Sequence, residues 1–277
     1  MDKMKVLDDN LEFTLLAQGN TAEVYNYDYN KVLKLFRENM PVEAIRSEYE
    51  KDKCIQLKLN NIPKAYELII YRERYGIVYE KIIGTNMIDT LLKKSWLTKH
   101  YSKSLANIHS KLHKVNLKLD ISVKDKLSSE IDAVSDLSEE EKDKIKEYMW
   151  NLPDGNVLCH FDFHPGNIII QDKESIIIDW MTACIGNPNA DVARTYLLFH
   201  YGELQHINRF ANKVILLFKK YMGKIYIKEY KRCNKISNHD FEQWLLPVAA
   251  GRLIEWISDN EKEQLLKFIR KELLKLT

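Results

Sequence analysis

The chain has 277 residues, a formal net charge of +2, and 45% apolar against 30% charged residues. That balance permits one large domain or two lobes around a core, and it gives no electrostatic case for nucleic acid, which requires Lys and Arg clustered against phosphates. There is no run of about 18 apolar residues and no apolar segment in the opening MDKMKVLDDNLEF, so the expectation is a cytoplasmic protein with no membrane span, secretory signal or obligate protein partner. Cys54, Cys159, Cys184 and Cys233 are widely spaced and form no C-x-x-C pair, which predicts reduced thiols rather than a disulfide or zinc framework.

Strand-like runs dominate the first 80 residues. Phe13–Ala17 is the first. Glu23–Asp28 and Lys31–Phe36 flank Tyr29-Asn30 and predict a hairpin. Pro41 opens a helix over Val42–Leu57, where its missing N–H has no partner to lose. Ala65–Tyr71 and Gly76–Ile82 complete a small antiparallel sheet carrying one helix.

After Gly84 the pattern turns helical: Met87–Leu92, Leu97–His113, Glu139–Met149, Asp191–Tyr201, Ile207–Met222, Phe241–Trp256 and Lys262–Leu276. Two apolar runs, Asn167–Gln171 and Ser175–Asp179, form a ribbon joined by the turn Asp172-Lys173-Glu174. The predicted fold is α+β and two-lobed. Residues 1–82 form a nucleotide-binding lobe, and residues 83–277 form a larger, mainly helical catalytic and substrate-binding lobe.

The polar residues at the two ends of the ribbon carry the chemistry. Asp162 and Asn167 lie five residues apart, the offset of the protein-kinase catalytic loop, in which Asp is the base and Asn a metal ligand. Asp179 ends the second ribbon strand, placed as the Asp of a D-F-G is, and Trp180 behind it would pack and fix the carboxylate's direction. A carboxylate and an amide oxygen beside the base suit Mg²⁺, which takes hard oxygen ligands. His160 is expected to hold the loop by bonding to backbone and to move no proton.

The stretch resembles the aminoglycoside phosphotransferase and choline kinase superfamily, whose catalytic loop reads H-G-D-x-H-x-x-N. His160, Asp162, His164 and Asn167 match it, followed by Ile178-Asp179-Trp180, Gly186-Asn187-Pro188 and Asp191. Asn187 departs from the usual Asp, which puts an ionic role there in doubt. The resemblance spans roughly residues 10–260. It implies a protein-kinase-like fold with nucleotide in the cleft, Asp162 as base or hydroxyl-orienting group, Asn167 and Asp179 on Mg²⁺, and Asp191 capping the next helix and bracing the loop.

The same resemblance places the phosphate-covering loop at Gln18–Tyr25 around Gly19. Lys34 lies on the following strand, opposite Leu33 and Leu35. It implies Glu50 as the partner that holds Lys34 against the phosphates, with Glu48 the runner-up. Adenine recognition would use backbone groups of Glu80 and Ile82, which leaves ATP and GTP open.

Other features have plainer readings. His109 and His113 have i, i+4 zinc spacing, but no Glu follows His109 and no third ligand is evident. The acidic run Glu130–Asp143 and the Lys-rich run Lys219–Lys235 read as solvated faces. Asp191 and Glu255 could meet an amine. The segment between Asp179 and Asp191 is too short for a protein-kinase activation loop, and retention of Lys34, Asp162, Asn167 and Asp179 argues against a non-catalytic scaffold. The expectation is Mg²⁺-dependent transfer of a nucleotide γ-phosphate to a small-molecule hydroxyl. An aminoglycoside-type antibiotic is the first acceptor, and the alternative is choline, ethanolamine, homoserine or a sugar.

Overall fold

The computed structural model describes residues 4–19, 21–172, 174–203 and 209–276, Arg209 by its backbone alone. Asn20 of the expected phosphate loop, Lys173 of the ribbon turn and Ile207 at the expected start of a helix lie outside the described residues. The first elements are β1 (Lys5–Val6), β2 (Leu15–Gln18), β3 (Ala22–Asn26), β4 (Lys31–Phe36), α1 (Val42–Ile55), β5 (Ala65–Tyr71), β6 (Arg74–Glu80), β7 (Thr85–Asn86), α2 (Met87–Lys93) and α3 (Thr98–Leu112). Then come α4 (Val123–Ala133), α5 (Glu139–Trp150), β8 (Val157–Cys159), β9 (Ile168–Gln171), β10 (Glu174–Ile177) and β11 (Cys184–Gly186). The chain closes with α6 (Pro188–His200), α7 (Arg209–Asn234), α8 (Asn238–Glu242), α9 (Leu245–Arg252) and α10 (Asp259–Leu273).

The chain forms two compact units, one of Met1–Met87 with Gly166–Met181 and the other of Ile88–Pro165 with Thr182–Thr277. The sequence division at 82/83 leaves the β9–β10 ribbon with the helices. In the structure β9 pairs antiparallel with β7, Thr85 opposite Ile170 and Asn86 opposite Ile169, and that ladder joins the ribbon to the first unit.

The first unit holds a six-stranded sheet in the order β1-β5-β6-β4-β3-β2, antiparallel except for β1 on β5. Alternation along β4 divides its side chains between two faces. Leu33 and Leu35 pack with Leu7, Ile69, Tyr71 and Val78 on one face. Phe36 packs with Ala22, Ala65, Ile77 and the α1 residue Ile45 on the other. Lys34 has the parity of Phe36 and pairs with Ile77 across the β4–β6 ladder, so it points to the α1 face. The β5–β6 hairpin turns through Arg72 and Glu73 alone, at φ 47° and 60°. Both residues are left-handed, as the tightest hairpin turn requires. Neither is Gly or Asn, so the sequence hides the turn and β6 begins two residues before its expected start. Arg72 is tied down instead, its N–H donating to Asp9 Oδ1 at 3.1 Å.

The second unit is helical around one core drawn from α4, α5, α6, α9 and α10, with the short β8–β11 pair beside it. The sequence reading misses α4. Its stripe of Val123, Leu127 and Ile131 is fully buried behind the Ser122 N-cap, but the charged residues between them mask the period. α5 opens on a capping box of Ser138 and Glu141. The single helix expected over Phe241–Trp256 is broken into α8 and α9. Pro247 has no N–H to donate, and it falls in the first turn of α9 where none is needed. α7 runs past Met222, where the expected helix ends, and through Gly223. A Cβ there would lie 2.9 Å from Phe199 Cβ, so this glycine allows close packing on α6. All four cysteines are free thiols, and no helix among the described residues is long and apolar enough to cross a membrane.

Gly84 precedes β7 and meets the ribbon closely. An added Cβ would fall 2.5 Å from the Ile170 carbonyl oxygen and 2.6 Å from Ile169 Cγ2. Backbone cannot give way as a flexible side chain does, so Gly84→Ala is expected to lower unfolding stability by about 1–3 kcal/mol. Urea denaturation of the two proteins measures this.

Candidate active site

In the second unit one turn of α6 fixes the segment from His160 to Phe163. Asp191, Arg194 and Thr195 are spaced i, i+3 and i+4 and share a helix face. Asp191 accepts the N–H of His160 at 2.6 Å and of Phe161 at 3.0 Å. Arg194 Nε donates to the Phe161 carbonyl at 3.2 Å, and Thr195 Oγ1 donates to the Phe163 carbonyl at 2.9 Å. Thr182 Oγ1 adds a bond to the His160 carbonyl at 2.8 Å. These bonds hold Phe161 at φ 62°, a left-handed conformation costing a bulky residue about 1–3 kcal/mol. The strained residue directly precedes Asp162 and sets where its carboxylate stands.

Asp162 keeps 28% of its side chain exposed and lies 3.5 Å from His164 Nε2. Its N–H donates to His160 Nδ1 at 3.3 Å, so His160 bonds to backbone as expected. Burial works to raise the Asp162 pKa, but His164, Arg194 and His160 outweigh it and hold the carboxyl well below the usual range. Asp162 is therefore ionised at neutral pH.

Asp191 is wholly buried inside α6. The helix cap is instead Asn187, whose side chain accepts the Asn189 N–H at 2.9 Å, so the capping role expected of Asp191 is corrected while its contact with the loop stands. Asn187 Nδ2 also donates to the Pro153 carbonyl at 3.0 Å, a bond a carboxylate could not make. Beneath Asp191 stand His109 and His113, with Nε2 atoms 3.0 Å and 3.2 Å from Asp191 Oδ2. Their Nδ1 atoms each meet a tyrosine hydroxyl of α7 at 2.6 Å, Tyr226 for His109 and Tyr230 for His113. Burial, then the neighbouring His113, lowers the His109 pKa to about 4, so that ring is neutral. Two histidines and a carboxylate form a ligand-like cluster. Asp191 is already taken up by two backbone N–H groups, and each Nδ1 by a tyrosine, so the cluster serves as a brace for the loop. Sequence spacing suggested His109 and His113 as a pair but gave no sign of Tyr226 or Tyr230.

The first unit assembles Lys34, Glu48, Asn167 and Asp179. On α1 the buried positions are Ile45, Glu48, Asp52 and Ile55, a single stripe facing the sheet. Lys34 Nζ lies 2.7 Å from Glu48 Oε1 and 3.0 Å from Asp179 Oδ1. Glu50 is exposed, about 200° round the helix from Glu48. The expected partner Glu50 is thus replaced by Glu48, and the i, i+3, i+7, i+10 run of buried positions is the sequence signal that distinguishes them. Burial opposes the Lys34 ammonium, but Asp179 and Glu48 raise its pKa well above the ordinary value. Asp179 sits at φ 65°, and Trp180 behind it is buried with Nε1 donating to the Ile177 carbonyl at 3.2 Å. The Ile178 N–H donates to the Asn167 carbonyl at 3.0 Å, so Asn167 and Asp179 flank one end of the ribbon. A carboxylate and an amide there fit the hard-oxygen preference of Mg²⁺.

The remaining expected residues are less distinctive. The Gly19 N–H donates to the Ala22 carbonyl at 2.8 Å in the β2–β3 turn. Glu80 ends β6 with its N–H on the Lys64 carbonyl at 2.9 Å, and Ile82 follows, half-buried. Neither Asp191 nor Glu255 stands open to an amine. Asp191 is sealed, and Glu255 accepts Arg194 Nη2 at 2.5 Å on one oxygen and Arg252 Nη1 at 2.8 Å on the other. The acidic run is locally neutralised: Glu130 pairs with Lys126, Glu139 with Lys142, Glu140 with Lys144, and Asp132 and Asp143 with Lys146.

Comparison with known proteins bears on the fold and the family. No curated protein sequence matches the chain. Among solved structures it is similar to APH(2'')-IIa in its ternary complex with streptomycin and ATP, at 17% identity and TM-score 0.55, covering 96% of this chain and 91% of that one. It is similar to the ADP-bound aminoglycoside phosphotransferase APH(2'')-Ib at 16% identity and TM-score 0.56, over 95% and 92% of the two chains. It is also similar to aminoglycoside phosphotransferase APH(3'')-Id from Streptomyces rimosus at 15% identity and TM-score 0.58, over 86% and 92%. These likenesses establish a kinase-like fold. The model of the phosphotransferase enzyme family matches residues 12–210, well over half the chain, and the protein belongs to that family.

Proposed function

We propose that this phosphotransferase moves the γ-phosphoryl group of ATP or GTP to a hydroxyl group of a small molecule, with an aminoglycoside-type antibiotic as the first candidate acceptor. The observation that carries the proposal is the Lys34 ammonium held between Glu48 and Asp179, with Asn167 on the adjoining end of the ribbon. A half-buried, permanently charged Lys fixed by two carboxylates suits the α- and β-phosphates of a nucleotide. Mg²⁺, held by Asn167 and Asp179, would neutralise charge on the triphosphate.

Asp162 receives the acceptor hydroxyl. Its depressed pKa makes it a weak base toward a free alcohol, so it first orients the hydroxyl by accepting a hydrogen bond. It takes the proton as the oxygen–phosphorus bond forms and the bond to the departing nucleoside diphosphate breaks. This suits a loose phosphoryl-transfer transition state, in which positioning and charge stabilisation supply most of the catalysis. The strained, clamped segment around Phe161 supports that positioning role.

One observation favours a second reading. Glu255 has both oxygens on arginines, and carboxylates of the acidic run pair with lysines and with Arg270. An acceptor of lower positive charge, such as homoserine or a sugar, fits that neutralised surface better than a polyamine does, with choline and ethanolamine in the same metabolic class.

Incubating the protein with Mg-ATP or Mg-GTP and a panel of aminoglycosides, macrolides, choline, ethanolamine, homoserine and sugars, read by mass spectrometry, separates the two readings. Phosphorylated aminoglycoside supports the first, phosphorylation confined to the metabolic acceptors supports the second, and an absence of product with every acceptor counts against both. Asp162→Asn is expected to lower kcat by about 10²- to 10⁴-fold with nucleotide affinity retained. Nucleotide affinity collapsing in that variant would overturn the role given to Asp162. Asp179→Asn is expected to abolish Mg²⁺-dependent nucleotide binding by calorimetry. Unchanged binding would remove Asp179 from the metal site.

A further inference from the structure

Behind the Lys34–Glu48 pair lies a second acidic group that phosphoryl transfer itself does not require. Asp52 is one helical turn after Glu48 on the buried stripe of α1 and is 3% exposed. The Tyr79 hydroxyl of β6 joins the two, 2.5 Å from Asp52 Oδ2 and 3.3 Å from Glu48 Oε1. Each carboxyl is then left with one buried oxygen that has no hydrogen-bond partner, Asp52 Oδ1 and Glu48 Oε2. Two ionised carboxylates one turn apart would repel, and neither orphaned oxygen could satisfy the other, because both are acceptors. A single proton resolves both problems by turning one acceptor into a donor.

We propose that Asp52 is a positioning residue held as the neutral acid, donating from Oδ1 to Glu48 Oε2 and so fixing the carboxylate that grips Lys34. The groups facing Asp52 are Tyr79 from β6, Lys34 from β4, and Glu48 and Lys51 from α1 itself. Burial, then the Glu48 carboxylate, raise the Asp52 pKa to about 7 against the pull of Tyr79, Lys34 and Lys51. Lys51 is itself engaged with the Met181 carbonyl. The proton is therefore present below pH 7 and is lost above it. Once Asp52 ionises, Glu48 loses its donor and Lys34 faces another carboxylate, so its hold on an incoming phosphate weakens.

The consequence for activity rests on the kinase reading, while the consequence for stability does not. The folded-state pKa of Asp52 lies above the unfolded value, so the folded state binds the extra proton between about pH 4 and pH 7. Stability falls as pH rises through that window and levels off above it. Asp52→Asn supplies a neutral side chain of the same shape, whose N–H can donate to Glu48 at every pH. Thermal unfolding of both proteins without nucleotide at pH 5 and pH 8 is the first measurement. The melting temperature of Asp52→Asn should gain on that of the wild type between the two values. An equal difference at both would overturn the proposal, whatever the enzyme's substrate.

The second measurement is Mg-ATP KM and kcat from pH 6 to 8.5 with an established acceptor. The wild-type KM should rise at least threefold across pH 7, and the Asp52→Asn KM should stay near the value at pH 6. The two proteins should share one pH dependence of kcat, because Asp52 touches none of the reacting groups and Asp162 stays ionised throughout this range. A parallel rise of KM in both would overturn the positioning role.

Discussion

The site depends on how a buried carboxylate is kept charged. Asp191 has no exposure to water, and an unpaired ion there would cost several kcal/mol. Two backbone N–H groups donate to it, each charge-assisted hydrogen bond being worth about 1.5–3 kcal/mol, and the His109 and His113 rings stand beside it. In compensating its own burial, Asp191 fixes the backbone of His160 and Phe161. Arg194 and Thr195 complete the clamp from the same turn of α6, and the strain at Phe161 is held by four side chains and not by the loop's own preferences.

The tyrosines of α7 set the direction of this arrangement. A hydroxyl 2.6 Å from each Nδ1 fixes the orientation of both rings beside Asp191, and burial keeps His109 neutral. α3, α6 and α7 thus meet over a polar network inside an otherwise apolar packing. The hydrogen bonds of this network hold its side chains in place, and the segment it braces carries Asp162.

The first unit applies the same logic with opposite sign. Lys34 is a half-buried cation made tolerable by carboxylates from α1 and from the end of the ribbon. The sheet's alternation points Lys34 at the helix, and the helix period brings Glu48 to meet it. The partner is Glu48 because burial selects a face of α1, and Glu50 lies on the wrong one. The β7–β9 ladder fastens the ribbon to this unit, which gives Asp179 and Asn167 a rigid mount.

The spacing of His160, Asp162, Asn167 and Asp179, and the alternation around Lys34, were enough to read the family, the fold class and the main candidates, because they repeat at short range. The α4 helix escaped because charged residues fill the gaps in its apolar period, and the β5–β6 turn because Arg72 and Glu73 adopt left-handed φ with no glycine to announce it. Other features were settled only by contacts between residues far apart in the chain. Among these are Glu48 over Glu50, Asn187 as the cap in place of Asp191, the tyrosines behind His109 and His113, and the arginines that neutralise Glu255. The sequence by itself determined which chemical groups are present and their local order. The tertiary structure decided which of them are buried together, and burial sets the charge each group carries and the partner it must find.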